Sequence, residues 1–406
     1  MRTNISRILS LVVALAVTMT VFSHSAGAQY RNRNTSYAAL YDSEVAQALR
    51  DHIGYISSSM MEGRLAGSEG ELETAKYVTE VLESYGAEIL SGKEGDLFGL
   101  KGETDTITSR NVVAVVAGSD KKLRERYIVI GARLDNLGTM TVNVDGEKQN
   151  RIFYGANSNA SGLAMMMELA KMLKTNAILL KRSVIFVGFG ASSVMNSGSW
   201  YFLNRSFKDV AIDAMINLDM VGTGNYGFYA YTSSNADMNA IVTQLRGELQ
   251  PIHPTLTSKE PFPSDHRSFY EKEIPSILFT TGDYPERNSD RDTEDIIDFQ
   301  MMERELEYVY SYSVALSNAS APVFNPSAEL RKKNSTDASV VPYYDCDYKP
   351  TFLGSSDPNV FLQKWVYQYL KYPETAIKNG LQGRVLVDFI ISETGKVTDV
   401  KVLKGV

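Results

Sequence analysis

The sequence is poor in the residues that build metal and disulfide frameworks. Among 406 residues there are one cysteine, Cys346, and four histidines. A single cysteine excludes an intramolecular disulfide network and a cysteine-based zinc cluster. Four histidines allow only a lean imidazole site. Clustered Lys and Arg interleaved with aromatics are also missing, and the formal net charge is −7. Nucleic acid is therefore excluded as the main partner, because phosphate contacts need grouped cations. No apolar run reaches the roughly 20 residues that a membrane-spanning helix takes. What is present, 44% hydrophobic and 22% charged residues, is the composition of a folded chain. It excludes wholesale disorder, collagen and a coiled coil. The length predicts two to three domains.

The N-terminus reads as an export leader. Arg2 and Arg7 precede an apolar run from Ile8 to Phe22, followed by Ser23-His24-Ser25-Ala26-Gly27-Ala28. A positive n-region, a short h-region and small residues at the end predict a signal peptide over residues 1–28, cleaved after Ala28. His24 leaves with it, so that His52, His253 and His266 remain. The mature protein is expected in the periplasm or secreted, with no membrane span after cleavage.

From there the pattern alternates. Ser43 to Ser58 and Gly70 to Tyr85 read as helices, the second with Ala75, Val78, Val81 and Leu82 at helical spacing. Strand-like apolar runs cover Arg110 to Ala117, Tyr127 to Ala132, Ser183 to Phe189, Ala214 to Asp219 and Ser276 to Phe279. Helical patterns fall at Ser161 to Leu173, Ser234 to Leu249 and Thr293 to Leu316. Continuous apolar strands suit a sheet covered on both faces. The alternation predicts an α/β three-layer sandwich around a mostly parallel central sheet, with its site at the carboxyl ends of the strands.

Polar clusters stand at those ends. They are Arg133-Leu134-Asp135-Asn136, the loop from Gly155 to Gly162, Gly190-Ala191-Ser192-Ser193, Asp219, Ser264-Asp265-His266 and Asn288 to Thr293. The Gly155–Gly162 loop lacks the spacing of a phosphate cradle. Met165 to Met167 lie on a helical pattern and belong to the core. His52 and His253 have no partner ligand at metal spacing and read as structural. Ser192 and Ser193 with His266 could suggest a serine hydrolase, but no Gly-x-Ser-x-Gly turn surrounds them.

With these residues in place, the chain resembles the exported zinc aminopeptidases of peptidase family M28, which include glutaminyl cyclase-like members. The resemblance spans about residues 50 to 318. It rests on Gly63-Arg64-Leu65-Ala66-Gly67-Ser68, on Ser109-Arg110-Asn111-Val112-Val113-Ala114, and on Gly155-Ala156-x-x-Asn159-Ala160-Ser161-Gly162. It implies two zinc ions held by histidines and carboxylates, with a glutamate as general base. Carried over position by position, the first histidine ligand falls on Arg133 and the bridging aspartate on Ser158. The general base falls on Ser192, the neighbouring ligand on Ser193 and the last histidine on Asn288. Only Asp219 keeps a ligand's identity. Asp135, Asp292 and Thr293 are kept, and His266 is kept at a pocket position, so the implied pocket is Asp135, His266, Arg133 and Asp219. Serine and asparagine are weak zinc ligands, and arginine repels a dication. The resemblance thus implies a degenerate metal site with no cofactor expected and no catalytic residue. The expected replacement for the metal is Arg133, lying between Asp135 and Asp219.

Ser317 to Pro342 loses all periodicity, and residues 319–342 read as a linker. Beyond it, Asn359 to Leu370 looks helical. Gly383 to Ser392 and Lys396 to Leu403 look like two strands joined by Glu393-Thr394-Gly395. Tyr372-Pro373-Glu374-Thr375-Ala376 and Gly383-Arg384-Val385 make residues 343–406 similar to the TonB C-terminal domain, a small α+β module. Val406 follows soon after the hairpin, which predicts a truncated module with one exposed strand edge. The usual transmembrane anchor and Pro-rich spacer of a TonB energy transducer are not seen. The domain reading is a signal peptide over 1–28, an aminopeptidase-like domain over 29–318, a linker, and a partial TonB-like module over 343–406. The functional reading is an exported, catalytically inactive protein retained for binding a peptide or protein. The alternatives are an active zinc aminopeptidase and an envelope transport partner acting through the tail.

Overall fold

The computed structural model describes residues 43–101, 106–144, 147–324, 351, 352, 364, 386–391 and 396–404. The leader, the linker beyond Phe324 and, apart from Lys364, the helix expected at Asn359 to Leu370 lie outside them. Helix α1 spans Glu44–Ile56 and begins where the Ser43 side chain accepts a hydrogen bond from the Ala46 N–H. Helix α2 spans Glu69–Ser84 and is capped in the same way by Ser68. Each hydroxyl satisfies an N–H that the first helical turn leaves without a partner.

Three short strands follow: β1 (Glu88–Ile89), β2 (Asp96–Lys101) and β3 (Thr106–Val116). Next come β4 (Tyr127–Arg133), a hairpin of β5 (Thr139–Val144) and β6 (Glu147–Ile152), and helix α3 (Ser161–Thr175). Then come β7 (Ser183–Phe189), α4 (Ser197–Tyr201), β8 (Ile212–Leu218), β9 (Tyr229–Tyr231) and α5 (Ala236–Arg246). Strand β10 (Thr255–Thr257), α6 (His266–Glu271), β11 (Ser276–Thr280) and α7 (Phe299–Asn318) complete this region.

Nine strands form one sheet in the order β1-β3-β7-β4-β8-β11-β9-β10, with β2 also on β3. The middle four, β7, β4, β8 and β11, run parallel. Strand β3 joins β7 antiparallel, and β9 joins β11 antiparallel. The sheet is therefore mixed, parallel at its centre and antiparallel on both sides of it. Every residue of β7 is buried, as a strand covered on both faces requires. One face packs against α1, α2, α3, α5 and α7, with Leu49, Val78, Met166, Met238 and Leu306 among the buried residues. On the other face Val129, Ile185 and Phe189 meet Phe202 and Phe269. These are the three expected layers.

The element boundaries differ where side chains cap helices. Thr293 to Leu316 is not one helix. A single turn at Glu294–Ile296 precedes α7. Between them the Asp298 N–H donates to Gly222 O, and the Asp298 side chain accepts from the Met301 N–H. That cap restarts the helix. The tail hairpin is present as β12 (Leu386–Ile391) and β13 (Val397–Lys404), paired antiparallel. Among the described residues no helix is long and apolar enough to cross a membrane.

Phe186, fully buried at the centre of β7, should carry a large share of core stability. Phe186→Ala is expected to lower the unfolding free energy by about 3–5 kcal/mol. Leu249→Ala, at a fully exposed position, should shift it by less than about 0.5 kcal/mol. Urea titration followed by circular dichroism reads both, and equal losses would contradict the packing described.

Candidate functional site

The carboxyl ends of β4, β7 and β8 converge, as parallel neighbours must. The last residue of β4, Arg133, donates from Nη2 to Ser158 Oγ at 2.8 Å and to Asp219 Oδ1 at 3.1 Å. The second oxygen of Asp219 accepts from Ser264 Oγ at 2.6 Å, and Ser264 Oγ in turn accepts from Asn217 Nδ2 at 2.8 Å. The Arg133 and Asp219 side chains are 14% and 5% exposed. Burial alone would lower the Arg133 pKa, but Asp219, Asp135 and Asp265 together raise it above its ordinary value.

The sequence reading set Arg133 between Asp135 and Asp219; it bonds directly to Asp219, while on Asp135 its charge acts without a hydrogen bond. Asp135 Oδ1 accepts from the Ser192 N–H at 2.7 Å, and Oδ2 accepts from the Ser193 N–H at 3.0 Å and from the Ser193 hydroxyl. The turn after β7 points two successive N–H groups at this carboxyl, and these are the donors that hold it. Burial pushes the Asp135 pKa up even so.

Ser192 Oγ donates to Asp265 Oδ2 at 2.7 Å, with Phe189 O the more distant acceptor at 3.2 Å. Asp265, fully buried, is pushed up to about 7 chiefly by burial. Its role was not read from sequence, where it stood only as a neighbour of His266. His266 Nε2 lies 2.8 Å from Glu260 Oε1, and its ring meets Tyr231 edge-on at 5.8 Å. Burial would raise the Glu260 pKa, but Arg267 and His266 outweigh it and hold the carboxyl down at about 2. The hydroxyl of Ser192 thus bonds a carboxylate and a carbonyl, not an imidazole, and the serine-hydrolase arrangement is not formed. His52 is structural, with Tyr77 Oη at 2.7 Å and Glu168 Oε1 at 3.2 Å from its two nitrogens. His253 packs edge-on against Tyr308.

The loop motif proves to be framework. Asn157 and Ser158 donate their N–H groups to Asp292 at 2.8 and 3.1 Å, and Tyr284 Oη donates to Asp292 at 2.7 Å. Asn157 Oδ1 accepts from the Gly222 N–H, Asn159 Oδ1 from the Met220 N–H and Ser161 Oγ from the Val221 N–H. Asn159 Nδ2 donates to Leu218 O. These side chains stitch the loop onto the chain leaving β8. At Gly162 a Cβ would stand 2.4 Å from Leu218 O, so only glycine permits the approach. Arg64 of the early motif is fully buried and donates to Ile56 O, Tyr154 O and Gly155 O at 2.8, 2.8 and 3.0 Å. Burial lowers its pKa to about 10. Asn288 sits half-buried at φ 57° in the loop after β11.

Zinc is normally held by thiolate, imidazole and carboxylate. Here Ser158 Oγ accepts from Arg133, the Ser193 hydroxyl bonds Asp135, and Asp219 is shared between Arg133 and Ser264. Among the described residues no three His, Cys, Asp or Glu side chains group so as to hold a metal ion. The donor set does not fit zinc.

The mixed sheet between two helical layers, with polar clusters at the strand ends, is the architecture of the zinc aminopeptidases. A zinc aminopeptidase from Bacillus subtilis superposes with a TM-score of 0.53 at 15% identity, over 69% of this chain and 98% of that one. Glutaminyl cyclase from Bacteroides thetaiotaomicron, bound to N-acetylhistamine, superposes with a TM-score of 0.52 at 17% identity, over 68% and 98%. Residues 111–313, half of the chain, match Peptidase family M28, and the protein belongs to that family. Residues 368–406 match the Gram-negative bacterial TonB protein C-terminal family. Aminopeptidase YwaD of Bacillus subtilis (strain 168) is 31% identical over 134 residues, which are 32% of this chain and 29% of that protein. The match therefore spans under a third of the curated relative.

Buried carboxyls give the domain a definite pH response. Glu71 and Asp265 both hold their protons up to about 7 when folded, mainly through burial. Unfolded, they release them near 4.5 and 3.8. Between those limits the folded state binds more protons, so stability falls as pH rises from about 4 to 7, by about 3 kcal/mol for Glu71 and about 4 kcal/mol for Asp265. Glu260 acts in the opposite sense: its contribution is present above about 4.5 and is lost as pH falls toward 2. Denaturant unfolding at pH 5 should therefore give a higher free energy than at pH 8, and Asp265→Asn should flatten the difference. A wild-type profile that rises from pH 5 to 8 would contradict this assignment.

Proposed function

We propose that this protein is an exported, non-hydrolytic member of family M28, retained for binding a peptide or protein partner in the cell envelope. The observation that carries the reading is the Arg133 guanidinium bonded to Ser158 and Asp219. A permanent cation stands where the resemblance calls for a metal-binding imidazole. The general-base position is Ser192, whose hydroxyl cannot act as a carboxylate would on water. Export is supported by the pattern of residues 1–28, and an envelope setting by the TonB match. The proposed division is a domain over 29–318, a linker over 319–342 and a tail module over 343–406.

The tail favours a second, compatible reading, in which the partner is an envelope protein engaged through the hairpin. Val387, Val400 and Val402 are 41%, 59% and 65% exposed; among the described residues β12 and β13 pair only with each other, and a free strand edge with apolar neighbours invites strand addition. Alternatively, the chain is an active zinc aminopeptidase. Metal analysis of the purified mature chain, together with an aminopeptidase assay, separates the readings. The expected result is no stoichiometric zinc and no turnover that chelator abolishes. Zinc near one or two per chain with chelator-sensitive turnover would establish the alternative. Pull-downs with and without residues 343–406 are expected to lose the envelope partner on deletion, and retention would move the binding surface to the cleft.

A further inference from the structure

Asp219 is buried at a place where the donor set holds no metal, and the surrounding residues show how the fold tolerates it. We propose that Arg133 is a built-in cation that takes over both the charge and the cross-linking which a divalent ion would otherwise provide. The proposal rests on the non-hydrolytic reading and extends it to stability: this fold is held at its strand ends without metal.

Three segments meet at one guanidinium. Arg133 ends β4, Ser158 belongs to the loop before α3, and Asp219 follows β8. A single nitrogen, Nη2, reaches the second and third at 2.8 and 3.1 Å. Ser264, from the segment between β10 and α6, closes the arrangement on the other oxygen of Asp219. The neighbouring carboxyls do not need this cation in the same way. Asp135 is held by two N–H groups and the hydroxyl of Ser193. Asp292 is held by two N–H groups and the hydroxyl of Tyr284. Asp219 has one hydroxyl and the guanidinium. Asp265 has the Ser192 hydroxyl, so among these four aspartates Asp219 is the one that is ion-paired within the described residues.

The pair is largely out of water, so it is weakly screened and its loss leaves an uncompensated ion. Guanidinium keeps its charge at every pH at which the chain folds. A zinc ion bonding Asp219 at about 2.0–2.2 Å would have to displace Arg133 Nη2 or Ser264 Oγ, which already take its two oxygens. The same substitution that removes a ligand thus also blocks the site against the ion.

The test is thermal unfolding of the full mature chain as wild type, Arg133→Met, Asp219→Asn and the double variant, each with added zinc and with chelator. Arg133→Met keeps much of the stem and removes the charge. It is expected to lower the midpoint by about 10 °C, the size of a broken buried pair in a domain of this length. The double variant should recover at least half of that loss, because the unpaired carboxylate is gone as well. Neither zinc nor chelator should move the wild-type midpoint. If Arg133→Met does not fold, the double variant decides: folding supports the proposal and failure to fold overturns it. A midpoint within about 2 °C of wild type for Arg133→Met, or no recovery in the double variant, also overturns it. With zinc still absent, those outcomes leave the non-hydrolytic reading standing. A zinc-dependent rise in the wild-type midpoint would sink both.

Discussion

Burying a carboxylate requires donors that replace water, and this requirement organises the centre of the molecule. Four aspartates lie at or below 4% exposure around the strand ends: Asp135, Asp219, Asp265 and Asp292. Each draws its donors from a different source, and Asp265 keeps one oxygen, Oδ1, without a hydrogen-bond partner among the described residues. Asp135 takes the turn after β7, Asp292 the loop before α3 and Tyr284, Asp265 the Ser192 hydroxyl, and Asp219 a guanidinium and a serine. Because the donors come from separate segments, the same hydrogen bonds that solvate the carboxyls also hold those segments together. The crowding leaves its mark in Asp135, Asp265 and Asp292, whose pKa values all rise through burial.

This gives a physical reason for framework and chemistry to part company in one chain. Asn157, Asn159, Ser161 and Gly162 fasten the loop to the chain after β8. Arg64 fastens the same loop from beneath through three carbonyls. Losing the Asn157, Asn159, Ser161 or Arg64 side chain would leave buried backbone groups without those partners, and a side chain at Gly162 would collide with Leu218 O. The side chains at Ser158, Ser192 and Ser193 serve the buried charges instead, through Arg133, Asp265 and Asp135. Arg133 balances the charge of Asp219.

Legibility in the sequence followed the same line. Strand β7 spans the residues its apolar run indicated, since a strand buried on both faces has no polar positions to blur its ends. The pattern over Ser161 to Leu173 likewise became α3. The hairpin β5–β6 was not read, because Thr139, Met140, Thr141, Gln149 and Asn150 all face water, so no buried face marks the strands at these positions. The break before α7 was missed because a helical pattern continues through Asp298, whose capping bond and link to Gly222 depend on a distant segment. At the site, Arg133, Ser158 and Asp219 were named from sequence, but the donors to Asp135 were not. Backbone N–H groups carry no sequence signal.

The sequence by itself determined the layered α/β class, the family, and the residue types at each position of the former metal site, because periodicity and local motifs are properties of the chain. Tertiary structure alone decided which carboxylate Arg133 pairs with, which hydroxyl reaches Asp265, and that His266 turns to Glu260. The first two join residues 86 and 73 positions apart, and the third joins residues six apart across the turn into α6. They are settled by which strand ends lie side by side and by the need of each buried charge for the nearest available donor.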